Sequence, residues 1–436
     1  MQKIKKMILE DEAITRNVKN AADFQYMKSL RVHLKVINAW PGNDIDGNQA
    51  KNKTFVNVFI FVSTLTCISG SIHYVVSHWD TLTFFELGHA YIVFFIITVA
   101  LMRILLTLPQ STKFRNIGVL FLTKMHLIYF KDVTEYAMMT YKQINVISRL
   151  FTFFVIGQML FGLFLFNLIP VWNNYASGKF KERILHNSTY ELTVYMSVPV
   201  LKVYTHLDAY VLLCIFHWFT SYVCSVITCI VDCFLLLMVF NIWGHLKILL
   251  HDLASFPLPA KEVISLMDKR YASVTAEMYS EEELKLVSHK LKQCIEYHRL
   301  ISDFSDKMTE AFGPMMFIAF MFNQIAGCLL LLECSQGTTE ALMRYLPLSV
   351  IIFQQLIQVS VIFELIGSTS EKLKDAVYGV PWQYMDTNNR KTVSIFLYFV
   401  QEPIRVKALG VINIGVKTMA SILKTTFSYF TFLRSV

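Results

Sequence analysis

The chain has 436 residues, of which 54% are hydrophobic, 14% aromatic and only 17% charged, with a mean hydropathy of +0.46. A soluble protein of this size carries about a quarter charged residues, and 35 Phe with 19 Met exceed what one water-facing core buries. These figures exclude a disordered chain, a disulfide-built secreted domain and a soluble enzyme, and they point to a membrane protein. The net charge of +8 is no nucleic-acid footprint, because the bases form no stripe and alternate with long apolar blocks.

Residues 1–54 are polar and mixed in charge, without the apolar core of a cleaved signal peptide. They are expected to be a cytoplasmic N-terminal segment. Seven stretches then reach the roughly 20 apolar residues that a span requires: 55–76, 86–107, 149–171, 208–232, 312–332, 342–366 and 408–436. With the N-terminus inside, thirty Lys and Arg fall on cytoplasmic segments against five outside, a decisive positive-inside bias. Seven spans then leave the C-terminus outside. The expected fold is an all-α polytopic membrane protein with seven transmembrane helices, a cytoplasmic N-terminus and an extracellular C-terminus. The sequon Asn187-Ser188-Thr189 lies in the long outer loop after the third span and is the candidate glycosylation site, whereas Asn52-Lys53-Thr54 lies inside.

Two helices overrun the bilayer. The apolar run from Ala209 to Trp243 is about 52 Å long, against a hydrocarbon core of about 30 Å. Residues 282–310 repeat Leu284, Val287, Leu291, Cys294, His298 and Ile301 at helical spacing. Both are expected to project into the cytoplasm as a helical bundle. The organisation is thus 1–54, spans one to four over 55–240, a cytoplasmic anchor over 241–311, spans five and six over 312–366, an anchor helix and break over 367–407, and the last helix over 408–436. Asp232 and Glu364 lie near the cytoplasmic boundary of their spans, where a role in the anchor or a pairing with Arg103 is expected.

Gln401-Glu402-Pro403 interrupts the chain before the last helix. On that helix Thr418, Ser421, Thr425, Ser428, Phe432 and Ser435 recur in steps of three and four, along one face. A hydroxyl stripe closed by an aromatic suits a water-filled pathway with a dewetting gate; equally, small residues pack helix against helix in membranes. Lys417 and Lys424 stand beside the stripe, toward a subunit interface or an inner vestibule. The eight cysteines form no CxxC pair, and no HExxH, GxSxG or P-loop occurs, so neither enzyme chemistry, a metal nor a cofactor is expected.

Several motifs carry a resemblance. Gly367, Ser370-Glu371-Lys372-Leu373, Ala376, Tyr378, Trp382, Arg390-Lys391, the Gln401-Glu402-Pro403 break, Ser421-Ile422-Leu423-Lys424 and Ser428-Tyr429-Phe430 resemble the insect odorant receptor family. Trp40-Pro41, Pro170 ending the third span, Asp232 and His298 support it. The resemblance implies a ligand-gated, non-selective cation channel of four subunits, whose seventh helices line a central pore. Counting from Tyr429, the family's gate falls on Phe432, its polar selectivity position on Ser435 and a further apolar position on Val436. Phe replaces a smaller aliphatic and Ser an amide at the first two.

Length and ending suit an odour-tuned subunit rather than the co-receptor Orco, and imply a heterotetramer with Orco in the plasma membrane of olfactory neuron dendrites, in contact with lipid. The family's odorant pocket lies in the outer halves of spans two, three, four and six. Those halves contain His89, Ile92, Phe95 and Ile96; Met159, Gly162 and Phe166; Leu213, Phe216 and His217; and Tyr345, Ser349 and Ile352. His89, His217 and Tyr345 are the candidate hydrogen-bonding groups for a small volatile odorant. The alternatives are a seven-helix G-protein-coupled chemoreceptor, which would carry Asp-Arg-Tyr after the third span, and a gustatory-type receptor channel, which would end in Thr-Tyr…Gln-Phe; both motifs are absent.

Overall fold

The computed structural model describes residues 18–43, 53–82, 84–107, 111–182, 184–185, 188–198, 202–260, 263–265, 275–337 and 339–435. Twelve α-helices follow in order among them. They are α1 (Gln25–Val36), α2 (Lys53–Ser77), α3 (Phe84–Thr107), α4 (Ser111–Leu120), α5 (Glu135–Ala176), α6 (Leu207–Ser225) and α7 (Val231–Ala254). After them come α8 (Glu281–Cys334), α9 (Thr339–Ser370), α10 (Leu373–Tyr378), α11 (Thr387–Phe399) and α12 (Val416–Ser435). A π-turn at Val226–Ile230 joins α6 to α7, so Leu207–Ala254 forms one rod.

Among the described residues, six helical rods are long and apolar enough to cross a bilayer: Phe55–Ser77, Leu87–Leu105, Glu135–Ala176, Leu207–Ala254, Glu281–Cys334 and Tyr345–Tyr384. The protein is therefore all-α and polytopic. The last helix is not in that set. Lys417, Lys424 and Arg434 interrupt its apolar character, and its buried side chains are confined to one face through Ile422 and Thr426. Its start also differs from expectation. Residues 407–413 form a hairpin of β3 (Lys407–Ala408) with β4 (Ile412–Asn413), and helix begins only at Val416. Leu409 and Gly410 both take positive φ there, which the reversal of a tight hairpin demands and a helix forbids. A side chain at Gly313 would put its Cβ 2.9 Å from Lys407 O, so the glycine lets this hairpin lie on α8.

Local chemistry sets the other boundaries. Thr134 Oγ1 accepts from Ala137 N at 3.0 Å and starts α5. Ser280 and Glu283 form a reciprocal capping box on α8, at 3.3 and 2.8 Å. Asp386 caps α11 from both Asn388 N and Asn389 N at 3.3 Å. Pro170 does not end the third span as expected. It lies buried inside α5, which continues to Ala176, because only the carbonyl one turn before it loses its partner. A second short hairpin pairs β1 (Val263–Ser265) with β2 (Thr275–Glu277).

One end of the bundle, the base, gathers α1, α4, α7, the first half of α8, α10 and α11. Every residue from Cys233 to Ile242 on α7 is buried; a helix apolar all round belongs in a core. Val287, Leu291, Cys294 and Ile301 of α8 bury the predicted amphipathic face. Two neutral histidines tie the loop at 126–129 to this core. His126 Nδ1 accepts from Ile128 N at 3.1 Å, which fixes the proton on Nε2 to donate toward Tyr26 Oη at 3.1 Å. His245 Nε2 donates to Met125 O at 2.8 Å, so its Nδ1 accepts from Tyr297 Oη at 2.7 Å. Burial pushes the His126 imidazole down to about 3, with the neighbouring His245 adding to it.

Candidate ligand site

At the other end, the crown, the helices splay around a cavity of about 210 Å³. Its walls are Val93, Ile96 and Ile97 of α3, Val155, Met159 and Phe166 of α5, and His217 and Thr220 of α6. Leu348 and Ile352 of α9 and Phe322 of α8 close the remaining side. Apolar cavities of about 150 Å³ already hold benzene, so this one accepts a small organic molecule.

An extended segment roofs the cavity. Thr193 O accepts from His89 Nε2 at 3.1 Å, Ser197 N donates to Gly70 O at 3.0 Å, and Met196 Sδ stands 3.4 Å from His217 Nε2. Val194 lines the cavity directly. Met196 packs directly over Gly70, where an added Cβ would lie 2.7 Å from Met196 Cε and displace the end of that side chain. His217 is 1% exposed, and its Nδ1 has no hydrogen-bond partner. A buried nitrogen left unpaired beside a cavity is a group that a ligand can satisfy.

The floor is polar. Arg103 donates from Nη1 and Nη2 to the two carboxylate oxygens of Asp232, at 3.0 and 3.1 Å. The same Nη1 donates to Ile227 O at 3.2 Å and Thr228 O at 3.4 Å. Both carbonyls belong to the π-turn, whose i→i+5 bonding leaves backbone acceptors over. Burying a guanidinium at 3% exposure is tolerable because its two terminal nitrogens meet a carboxylate and two carbonyls, although Nε has no partner among the described residues. Of the two pairings open for Arg103, the structure has Asp232. Glu364 does something else: its Oε2 accepts from Val416 N at 3.1 Å, capping α12 from span-forming α9.

Of the residues expected to bind an odorant, Ile96, Met159, Gly162, Phe166, His217 and Ile352 line the cavity. The others lie behind or above it. His89 holds the roof strap, while Ile92 and Tyr345 pack with Ala326 and Leu330. Leu213 packs with Tyr190 and Tyr210, and Phe216 lies beside Val194 and Cys67. Phe95 stacks edge-on to Phe94, and Ser349 Oγ donates to Tyr345 O at 2.8 Å. The difference is phase: α3 and α9 are each turned so that 93, 96 and 97, and 348, 352 and 355, face inward. A signal for this was present in the sequence. Thr220, Ser221, Ser225, Thr228 and Asp232 form a polar stripe on an otherwise apolar rod, and polar residues within a membrane helix turn toward a cavity or a partner.

On α12, Ser421, Ser428, Lys417 and Lys424 share the exposed face, Phe432 is 63% exposed, and Thr418 and Thr425 are half-buried. The two lysines thus flank the hydroxyl stripe directly, opposite Ile422 and Thr426. Ser435 ends the helix. Val436 and Asn187 lie outside the described residues. All eight cysteines are free, and the described residues contain no cluster of metal-ligating side chains.

A multi-pass helical membrane protein with a largely apolar cavity beneath a strap at its crown has the architecture of a membrane receptor for small molecules. The family model described as 7tm Odorant receptor matches residues 83–427, and the chain belongs to that family. Among curated relatives, it is 26% identical over 152 residues to Odorant receptor 85c of Drosophila melanogaster, covering 34% of this chain and 39% of that protein. It is 24% identical over 185 residues to Odorant receptor 13a of the same species, covering 39% and 44%. The matched stretch therefore spans about two fifths of these relatives' length. The solved structure of the insect olfactory receptor OR5 from Machilis hrabei has a TM-score of 0.73 at 12% identity, over 94% of this chain and 97% of that one. Its complex with eugenol has a TM-score of 0.74 at 13% identity, over 94% and 98%. At such identity the likeness shows the fold, from base to crown.

Proposed function

We propose that this chain is the odour-tuned subunit of a ligand-gated, non-selective cation channel, which opens when a small volatile molecule occupies the crown cavity. The largely apolar cavity carries the reading: it has the size and lining that hold a small volatile molecule. The receptor of similar fold was solved with eugenol, a small aromatic, which supports a ligand of that size class. Ile96, Met159, Gly162, Phe166, His217 and Ile352 are the contacting residues in this reading. His89, Ile92, Phe95, Leu213, Phe216, Tyr345 and Ser349 hold the wall and roof from behind.

In the same reading α12 is the seventh span and lines the pore, with Phe432 as the gate and Ser421, Thr425, Ser428, Ser435 and Val436 along the pathway. Its polar face supports this, because Lys417, Ser421, Lys424 and Ser428 are exposed opposite the packed face, and within a membrane such groups require water or a protein partner. The N-terminus is cytosolic, the C-terminus outside, and Asn187 a glycosylation site on the outer face. Orco subunits complete a heterotetramer in the plasma membrane of olfactory dendrites. Ligand shifts the equilibrium only by binding the open state more tightly than the closed one. The test is odorant-evoked current in cells expressing this chain with Orco while G-protein signalling is blocked. A fast current that survives supports the channel; one that disappears under the block favours a G-protein-coupled receptor.

A further inference from the structure

The cavity is not uniform. Its crown half is walled by Val93, Ile97, Phe166, Val194 and Leu348 with the single polar ring of His217, whereas Thr228, Asp232, Gln355 and Gln358 gather at the end nearest the base. Asp232 is the only formally charged residue among those that line it. Its side chain keeps 18% exposure where that of Arg103 keeps 3%, so the carboxylate is the member of the pair that faces the open space. An ionised carboxylate has about four lone-pair sites, and Arg103 takes one on each oxygen. Acceptor capacity therefore remains on the cavity side.

A donor lines the same end of the cavity. Gln355 Nε2 is directed at Cys229 Sγ, 3.2 Å away, and a thiol sulfur is a weak acceptor. An oxygen placed there by a ligand would be the better partner. Thr228 contributes no hydrogen of its own, since its Oγ1 already donates to Cys224 O at 2.9 Å.

The geometry points to a ligand class: we propose that the cavity selects a neutral, compact alcohol or phenol, whose hydroxyl donates to Asp232 and accepts from Gln355 while its apolar body fills the crown half. The bidentate Arg103 pair neutralises Asp232, so an ammonium finds no unpaired anion, and an ionised carboxylate has no hydrogen to donate to Asp232. An ether or ester offers an acceptor to Gln355 but nothing to Asp232. An alkane adds no hydrogen bond to either, leaving Asp232 to Arg103 and Gln355 to the weak acceptor Cys229. Asp232 and Gln355 are specificity-determining residues in this account, which rests on the cavity being the odorant site.

The test measures equilibrium binding of hexanol, hexyl methyl ether, benzyl alcohol and benzyl methyl ether to the full chain in lipid nanodiscs. Each alcohol should bind about tenfold more tightly than its ether, as one hydrogen bond to a charged acceptor predicts. Gln355→Leu, which leaves the ion pair intact, should weaken alcohol and ether alike and leave the preference standing. The double variant Arg103→Gln with Asp232→Asn keeps the floor paired while removing the charge, and should bring the preference to about twofold or less. Equal binding of alcohol and ether to the native chain, or an undiminished preference in the double variant, overturns the assignment. Met159→Trp separates the two levels of the reading. Ligands that bind without alcohol preference and are expelled by Met159→Trp refute the selectivity alone, whereas ligands indifferent to Met159→Trp refute the cavity as the site.

Discussion

The two halves of the rod Leu207–Ala254 share one composition and do opposite work. Below the π-turn, α7 is wrapped on all sides, with Phe234, Leu235, Leu237, Met238 and Val239 at 0% exposure. Above it, α6 is one-sided: Val211, Leu212 and Ile215 face outward at 47%, 58% and 64%, while His217, Thr220 and Cys224 face the cavity. Hydrophobicity alone does not distinguish them. What separates them is a stripe of small polar residues on α6 and one extra residue in the helical turn, which hands two carbonyls to Arg103. A solid half gives the receptor a fixed frame, and the splayed half gives it room for a ligand.

The largest expected effect tests the solid half. Phe234→Ala should cost about 3–5 kcal/mol, because the surrounding side chains have little freedom to collapse into the hole. Leu348→Ala on the cavity wall should cost less than half as much, since one side of that residue already lacks neighbours. Denaturant unfolding of the purified chain in mixed micelles reads both. Equal losses would erase the distinction between frame and pocket.

Arg103→Leu comes next, at about 3 kcal/mol, the low end for stranding a buried charge because Asp232 borders the cavity. Pairing it with Asp232→Leu should restore most of that loss. If the double variant is as unstable as the single one, the π-turn carbonyls rather than the ion pair are what Arg103 serves.

A pH series examines how the frame is fastened. His126 is held neutral when folded, with its imidazole pushed down to about 3, whereas in the unfolded chain it takes up a proton near 6.5. Between those values the unfolded state binds more protons, so stability falls as pH is lowered through 6.5 and keeps falling toward 3. At pH 5 the share of the loss carried by His126 is about 2 kcal/mol. His126→Gln should flatten that limb, and an unchanged slope would assign the acid sensitivity to other groups.

How much of this was legible beforehand follows from which forces act locally. The break at Gln401-Glu402-Pro403 and the amphipathic run of α8 were readable, because proline geometry and helical periodicity are properties of a few adjacent residues; the Asp386 cap that starts α11 was not read. The cavity was half readable. Its α5 wall, Met159, Gly162 and Phe166, fell in place, but the phase of α3 and α9 depends on how each rod rolls against its neighbours, and no single helix encodes that. The start of α12 was misplaced because the apolar residues from Ala408 onward suit a strand as well as a helix. What decides there is the reversal at Leu409 and Gly410 against Gly313, a tertiary contact between residues about a hundred positions apart.

That hairpin makes the smallest expected effect informative. It delivers Gly415 and Val416 to the carboxylate of Glu364, so the first turn of α12 is held by a charge on α9 rather than by a cap of its own. A carboxylate at a helix N-terminus contributes about 0.3–1 kcal/mol, too little to move global unfolding clearly. Local opening is the right observable. In Glu364→Ala, amide hydrogen exchange over the first turns of α12 should quicken about threefold while exchange in α7 stays as it was. Glu364→Gln keeps an acceptor but not the charge, and should fall between the two. Should α7 quicken in step with α12, the last helix would be opening with the frame rather than by itself, and the capping contact could not be the place where movement of α9 reaches it.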